Sequence, residues 1–289
     1  MPSHSPRIAA VVVLYGPGPE VLENIRTWAG QVELVYALDN TEELGGVKGT
    51  FAQRLAVLEN VVYLSQGENV GIARALNIGA ELARTAGYDC LLTMDQDSRG
   101  DDGLVANLLA CRGAGEGVAP GIVAPFHVTR AVRRPPPAAE YSEAMTPMTS
   151  GCLLDLAAWR DVGPFRDDFF IDFVDNEYCL RLRRSGYRVV RANRAILTHE
   201  VGEITRHGPL IATNHSPLRR YYKTRNRFVV FREYLRTFPG HCTFDLVRLT
   251  KEIGSIVLFE KEKTAKLRMM WQGWRDYRRG RLGKFSGSV

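Results

Sequence analysis

No apolar run in this chain reaches the roughly 18–20 residues that a membrane-spanning helix needs. The N-terminus has no long apolar segment of secretion-signal type, so the expected location is cytoplasmic. Cysteine is scarce. There are five, an odd number without the pair spacing of a metal site, which reads as reduced thiols. Cys90, Cys152 and Cys179 lie in apolar stretches and read as core residues. Internal repeats are absent. Acidic residues are sparse in one place: residues 261–284 hold nine Lys/Arg and two Asp/Glu, a local net of +7. Since the whole chain carries +6, the remainder is −1. A basic tail on a near-neutral body argues against nucleic acid as a partner and for an anionic surface touched by the tail.

What is present is ordinary globular material: 289 residues, 45% hydrophobic and 24% charged, enough for a substantial core. Ile8 to Leu14 is a β-branched run of the kind that forms a buried parallel strand. Gly16-Pro17-Gly18-Pro19 breaks it, and Glu20 to Ala29 reads as a helix. Val32–Leu38, Val61–Leu64 and Asp89–Met94 read as strands. Phe51–Leu58 and Gly71–Ala86 read as helices, the second by its apolar spacing. This alternation predicts an α/β fold with right-handed crossovers and a doubly wound, mostly parallel sheet flanked by helices. The pattern changes after Asp97. Residues 130–149, with Arg133-Arg134-Pro135-Pro136-Pro137, read as a mobile loop near the site. Strands follow at Thr149–Leu154, Arg188–Val190 and Ala195–His199, with a helix over Asp175–Ser185. Ser216 opens a long helix to about Leu235, and helices at 244–260 and 263–279 form a C-terminal extension.

Asp95-Gln96-Asp97 closes the apolar strand Cys90–Met94. Ligands of open α/β sheets bind at such strand ends, and carboxylates there suit a divalent cation that can neutralise a leaving diphosphate. A polar turn with a helix cap is the alternative. Asn69-Val70-Gly71, with Asn77 and Gly79, forms a strand-to-helix turn whose glycine lets backbone N–H groups approach a phosphate or sugar. It is not the dinucleotide glycine pattern. Asp39 ends the second strand, where it suits the ring N–H of uracil or thymine or, equally, a turn. Four acids stand among aromatics from Asp168 to Glu177: Asp168, Asp172, Asp175 and Glu177. A carboxylate in such a partly apolar pocket gains proton affinity and suits a general base.

The order of these pieces resembles glycosyltransferase family 2, whose fold is of the GT-A nucleotide-sugar type. Phe170-Ile171-Asp172-Phe173-Val174-Asp175-Asn176-Glu177 with Cys179-Leu180-Arg181, and later His215-Ser216-Pro217-Leu218-Arg219-Arg220-Tyr221-Tyr222-Lys223-Thr224-Arg225-Asn226, resemble its rhamnosyltransferase branch. The likeness spans roughly residues 8–235. It implies a donor site drawn from Tyr15, Asp39, Asn69, Gly71, Asn77, Asp95, Gln96, Arg219 and Arg220, with Asp39 on the base and Asp95 near the ribose. It implies Asp97 and His199 as ligands of Mg²⁺ or Mn²⁺, and Asp175 as catalytic base. Gly151, Asp172 and Glu177 are implied to contact the acceptor or orient the base; the alternative for Asp172 and Glu177 is structural, with one paired to Arg181 or Arg183. Two positions depart from the pattern. Val174 stands where many relatives have a Glu, and Leu76 where many have an Arg, which shifts phosphate contact to Arg219, Arg220, Lys223 or Arg225.

The implied reaction is an inverting, metal-dependent transfer of L-rhamnose from dTDP-L-rhamnose to a hydroxyl of a glycan or lipid-linked glycan in bacterial cell-surface polysaccharide synthesis. A UDP-sugar-dependent galactofuranosyl- or hexosyltransferase is the alternative. A non-catalytic sugar-nucleotide or glycan-binding protein is the alternative of another class. A nucleotidyltransferase would want a basic glycine loop after strand one, and Gly16-Pro17-Gly18-Pro19 has no basic residue. The tail interleaves Trp271 and Trp274 with Arg268, Arg275 and Arg278, which suits peripheral attachment to the inner face of the cytoplasmic membrane. The alternatives are packing of those tryptophans on the body or a homodimer contact. The expected division is a transferase domain over 1–240, with its nucleotide-sugar part at about 1–100 and its acceptor and catalytic part at about 101–240, and a helical tail over 241–289. The catalytic motifs precede residue 235, which predicts that the tail is dispensable for the chemistry.

Overall fold

The computed structural model describes residues 5–42, 50–113, 118–129, 135–199, 205–207 and 210–287. They fall into two compact units, Met1–Phe165 with Tyr178–Glu200, and Arg166–Glu177 with Val201–Val289. The division differs from the sequence-based boundary at 240: the last two helices group with the segment that precedes them.

The first unit holds, in chain order, β1 (Ile8–Leu14), α1 (Glu20–Ala29), β2 (Leu34–Asp39), α2 (Thr50–Leu55), β3 (Val61–Ser65), α3 (Ile72–Thr85), β4 (Cys90–Asp95), β5 (Ser98–Gly100), α4 (Leu104–Arg112), β6 (Pro120–Val128), β7 (Tyr141–Glu143), β8 (Cys152–Asp155), α5 (Leu156–Val162) and β9 (Arg188–His199). The strands form one sheet ordered β3-β2-β1-β4-β8-β6-β9-β5, with β7 paired to β9. β3, β2, β1 and β4 are parallel neighbours, while β8 runs antiparallel to both β4 and β6. β1 is apolar and buried almost throughout, as a strand covered on both faces must be. α1 lays Val21, Ile25, Trp28 and Ala29 into the core at helical spacing, and Glu20 and Glu23 complement its dipole. Burying a side chain such as Ile25 is worth about 1.5–3 kcal/mol. α3 lies so close to β1 that a Cβ on Gly79 would stand 2.6 Å from Val11 Cγ2.

Three differences from the sequence reading have physical causes. β6 and α4 carry no legible signal. β6 begins at Pro120 and contains Pro125, tolerated because its register with β9 shifts beside both prolines. β9 reads as two short strands because Arg191, Asn193 and Arg194 interrupt it, yet it is continuous. The buried Asn193 donates its side-chain amide to the Ala139 carbonyl (2.9 Å) and its backbone N–H to that of Glu140 (2.9 Å). Within the expected loop at 130–149, Tyr141–Glu143 pairs with β9, and residues 130–134 lie outside the described residues.

The helix α6 (Val174–Arg184) begins in the second unit and continues in the first. The rest of the second unit is a 3-10 turn at Asp167–Phe169, a hairpin of β10 (Thr205–His207) and β11 (Leu210–Ala212), and the helices α7 (Pro217–Tyr234), α8 (Pro239–Phe259) and α9 (Lys263–Arg278). Ser216 caps α7 by accepting the Arg219 N–H, and Pro217 opens the first turn. α9 meets α7 at Gly273, where a Cβ would collide with the Tyr221 carbonyl. Buried charges lace these helices together. Arg220 pairs with Glu252 and Glu260, Lys266 with Glu260 (2.9 Å), and Arg227 with Asp245 (2.9 Å) and Glu252 (3.0 Å). Among the described residues, no helix is long and apolar enough to cross a membrane.

Candidate active site

In the first unit, the parallel register sets three strand ends side by side. Asp39 lies opposite Leu14 and Asp95 opposite Val13, so the ends of β2, β1 and β4 form one carboxyl edge. Gln96 fastens this edge: its Oε1 accepts the Tyr15 N–H (2.8 Å) and its Nε2 donates to the Tyr15 carbonyl (3.2 Å). The Tyr15 side chain is exposed. Asp39 is buried and accepts from the Tyr63 hydroxyl (2.7 Å), the Thr41 N–H (2.8 Å) and the Thr41 hydroxyl. Three of about four carboxylate acceptor positions are thereby taken.

Two asparagines expected at the donor bond the backbone in this structure. Asn69 Oδ1 accepts the Gly71 N–H (3.0 Å), fixing the turn that opens α3 at a φ of +85°. Asn77 clasps Phe165, donating to its carbonyl and accepting its N–H, both at 2.8 Å. Gly151 also has a local task. At a φ of +77°, where a Cβ would stand 2.6 Å from Pro125 Cγ, it donates its N–H to the Thr93 carbonyl (2.6 Å). Its neighbour Ser150 accepts the Asp95 N–H (3.0 Å) and bonds the Ser98 hydroxyl (2.8 Å). The Ser150-Gly151 turn therefore positions the Asp95-Gln96-Asp97 corner. Ser98 pairs with His199 in the β5–β9 ladder, which makes His199 a backbone neighbour of Asp97; the His199 side chain lies outside the described residues. Among the described residues, no three His, Cys, Asp or Glu side chains group to hold a metal ion.

In the second unit, the acids stand on a strained loop. Phe170, Asp172 and Phe173 all have φ between +60° and +65°. Each non-glycine residue held there costs on the order of 1–3 kcal/mol, so other contacts must enforce it. Asp172 takes the Arg219 Nε on both carboxylate oxygens (3.2 Å each). Asp175, in the first turn of α6, accepts the backbone N–H (2.8 Å) and side-chain amide (3.0 Å) of Asn176. Burial raises the proton affinity of Asp175 above the ordinary carboxylate range; the Asn176 bonds oppose this and the Asp172 charge adds to it. Burial raises that of Asp172 too, against the pull of Arg219 and Lys223. His215 is driven down to about 3 by burial and by Lys223, Arg219 and Arg220, and is neutral at pH 7. Glu177 is buried and accepts the Tyr234 hydroxyl (2.8 Å). Arg181 donates to the Val162 and Pro164 carbonyls and Arg183 to Glu143, tying down the first unit.

The arginines expected at phosphate divide sharply. Arg220 is about 1% exposed and is committed to Glu252, Glu260 and the Thr213 hydroxyl. Arg225 is equally buried and bonds main-chain carbonyls. Arg219 keeps 47% of its side chain exposed beside Asp172, and is the one of these three able to meet a solvent-borne anion. In the tail, Lys266 is buried against Glu260 and adds no surface charge. Trp271 and Trp274 are exposed, with Arg275 and Arg278 over their rings.

No family model matches this chain. The chain is 28% identical over 247 residues to the dTDP-rhamnosyl transferase RfbF of Shigella flexneri, covering 78% of this chain and 80% of that protein. Its fold is similar to the mannosyltransferase PcManGT of Pyrobaculum calidifontis in complex with GDP-Man and Mn²⁺, with a TM-score of 0.60 at 14% identity over 100% of this chain and 78% of that one. It is also similar to GalNAc-T7 with UDP, GalNAc and Mn²⁺, with a TM-score of 0.58 at 11% identity over 77% of this chain; it spans 48% of the length of that protein. The fold is the GT-A fold, and with a curated relative of that activity the chain is a glycosyltransferase.

Proposed function

We propose that this glycosyltransferase moves L-rhamnose from dTDP-L-rhamnose to a glycan or lipid-linked glycan hydroxyl with inversion, as a member of family 2. The similarity to RfbF over most of both chains carries the choice of donor. In the proposed reaction Asp175 takes the proton of the acceptor hydroxyl, whose oxygen attacks the anomeric carbon from the face opposite the nucleotide. A raised proton affinity in a partly buried carboxylate supports that role. Arg219 holds Asp172 and offers positive charge to the departing diphosphate.

A divalent cation fits the chemistry of the β4 end. Mg²⁺ and Mn²⁺ take one or two carboxylates and leave other positions to water and substrate phosphates, so a preformed three-ligand cage is not required. Asp97 and His199 would hold it, beside Asp95 at the ribose, and when bound it supplies charge to the leaving diphosphate. The exposed Trp271 and Trp274, with arginines over both rings, support attachment of the tail to an anionic membrane face. Sedimentation with anionic liposomes at low salt, lost as salt rises, tests that part.

Calorimetry with dTDP and UDP, with and without Mn²⁺, tests the donor site. The expected result is tighter binding of dTDP, strengthened by Mn²⁺ in the native chain and unaffected by it in Asp97→Ala. Preference for UDP would overturn the rhamnose reading, and equal binding without metal the cation site.

A further inference from the structure

The described residues that follow α9 and its C-cap, 280–287, are not a loose end. Gly283, at a φ of +88°, donates its N–H to the Asp168 carbonyl (2.7 Å). Its own carbonyl accepts from Arg225 Nη1 (2.6 Å), while Arg225 Nη2 reaches the carbonyls of Asp168 (3.1 Å) and Phe169 (3.0 Å). Next along α7, Asn226 Nδ2 donates to the carbonyls of Phe169 (3.0 Å), Ile171 (2.9 Å) and Asp172 (2.9 Å). Its orientation is fixed because its Oδ1 accepts Arg225 Nε (2.9 Å). Both side chains are almost wholly buried. Phe285 adds a further tie, donating its N–H to the Tyr222 hydroxyl (2.7 Å), and Tyr222 stacks on Phe170 with ring centroids 5.2 Å apart.

We propose that Arg225, Asn226 and the Gly283–Phe285 segment form a brace that sets the conformation of the acid loop, making the C-terminal segment a positioning part of the catalytic apparatus. The carbonyls of four residues, Asp168, Phe169, Ile171 and Asp172, are all met from this brace. The left-handed residues Phe170, Asp172 and Phe173 lie within or beside that span. A loop of this conformation does not persist on local preference, since only glycine adopts it freely. The brace supplies the enforcement, and Asp175 follows the loop by two residues. The expectation that the tail is dispensable for chemistry is thereby reversed: removal of residues 260–289 takes away Gly283 and also the Glu260 and Lys266 that pair around Arg220. This inference rests on Asp175 as the base, but its structural half is testable without any activity.

The test compares the full chain with Asn226→Ala and with a chain ending at Leu282, which keeps α9 and both exposed tryptophans. Hydrogen exchange is read at Phe169, Phe170 and Ile171, whose N–H groups are bonded within the loop. Transfer from dTDP-L-rhamnose is read as kcat and donor KM across pH. Both variants are expected to exchange faster at those amides while the β1 amides stay protected. kcat is expected to fall by on the order of 10²-fold, the cost of a misplaced catalytic group, with donor KM unchanged. The acid limb of kcat is expected to move to lower pH, as water reaches Asp175 and its proton affinity relaxes. Unchanged loop exchange would overturn the brace. Faster loop exchange with kcat and the acid limb unmoved would overturn its catalytic role. If the shortened chain loses protection in β1 as well, Gly283→Ala, which strains only that φ, carries the same comparison. Should Asp175→Asn prove fully active, the base assignment falls while the exchange result still judges the brace.

Discussion

Two segments of this chain carry the acids proposed for the chemistry, and they are held in opposite ways. Asp95 ends a regular buried strand and Asp97 stands two residues further on, in the turn. Their placement follows from the parallel ladder β2-β1-β4, with the Ser150 hydroxyl and Gln96 amide tightening the corner. Asp172 and Asp175 sit on and after a loop with three left-handed non-glycine residues, held by side chains some 50 residues further on and by a segment more than 100 residues away. Backbone register places the first pair, and side-chain bonds to carbonyls place the second. A strand end tolerates change around it because many ladder bonds share the load. The loop concentrates its support in Arg225, Asn226 and Gly283.

The largest expected effect is at the loop. Asp175→Asn keeps the shape but cannot take a proton, and turnover should fall at least about 10²-fold with donor affinity kept. Near-normal turnover in the folded variant would remove the base from the account. A smaller effect tests the sheet side. Asn77→Ala leaves the Phe165 N–H and carbonyl without their partner, which should cost about 1–3 kcal/mol in denaturant unfolding. dTDP affinity should stay unchanged in calorimetry, because the amide faces backbone. A clear loss of dTDP affinity without loss of stability would place Asn77 in the donor site.

The smallest effect is electrostatic. His215 has a folded value of about 3 against an ordinary 6.5, so it is neutral in the folded chain and charges on unfolding in mild acid. Its contribution to stability is present above about 6.5 and is lost as pH falls from there towards 3. Glu252 acts in the same direction at lower pH. Burial works against its ionised form, but Lys223, Arg227 and Arg220 hold it down at about 2, so its contribution fades below an ordinary 4.5. Melting curves between pH 7 and 4 should therefore slope downward, less steeply in His215→Gln. An unchanged slope in the variant would place the sensitivity elsewhere.

The same contrast explains what the sequence disclosed. β1 and α1 match their expected limits because an unbroken β-branched run and a clean helical stripe each have one reading. The Asp95 corner was legible as a strand end. The acid loop stood out in the sequence, since four acids among aromatics need a reason, but its support did not. Nothing in the spelling of Arg225 separates a buried carbonyl clamp from a phosphate ligand, and the same holds for Arg220 beside the half-exposed Arg219. The bond of Asn77 to Phe165 was not legible, because the two lie 88 residues apart. Short local patterns reveal register; bonds between distant side chains and main-chain carbonyls leave no period to find.

The most direct test of the account is a side-by-side turnover measurement of dTDP-L-rhamnose, UDP-galactofuranose and UDP-hexoses, each with Mn²⁺, Mg²⁺ or excess chelator, by the purified native chain. Metal-dependent consumption of dTDP-L-rhamnose is expected well above the others, suppressed by chelator. Consumption of a UDP-sugar in preference, or undiminished turnover in chelator, would contradict it.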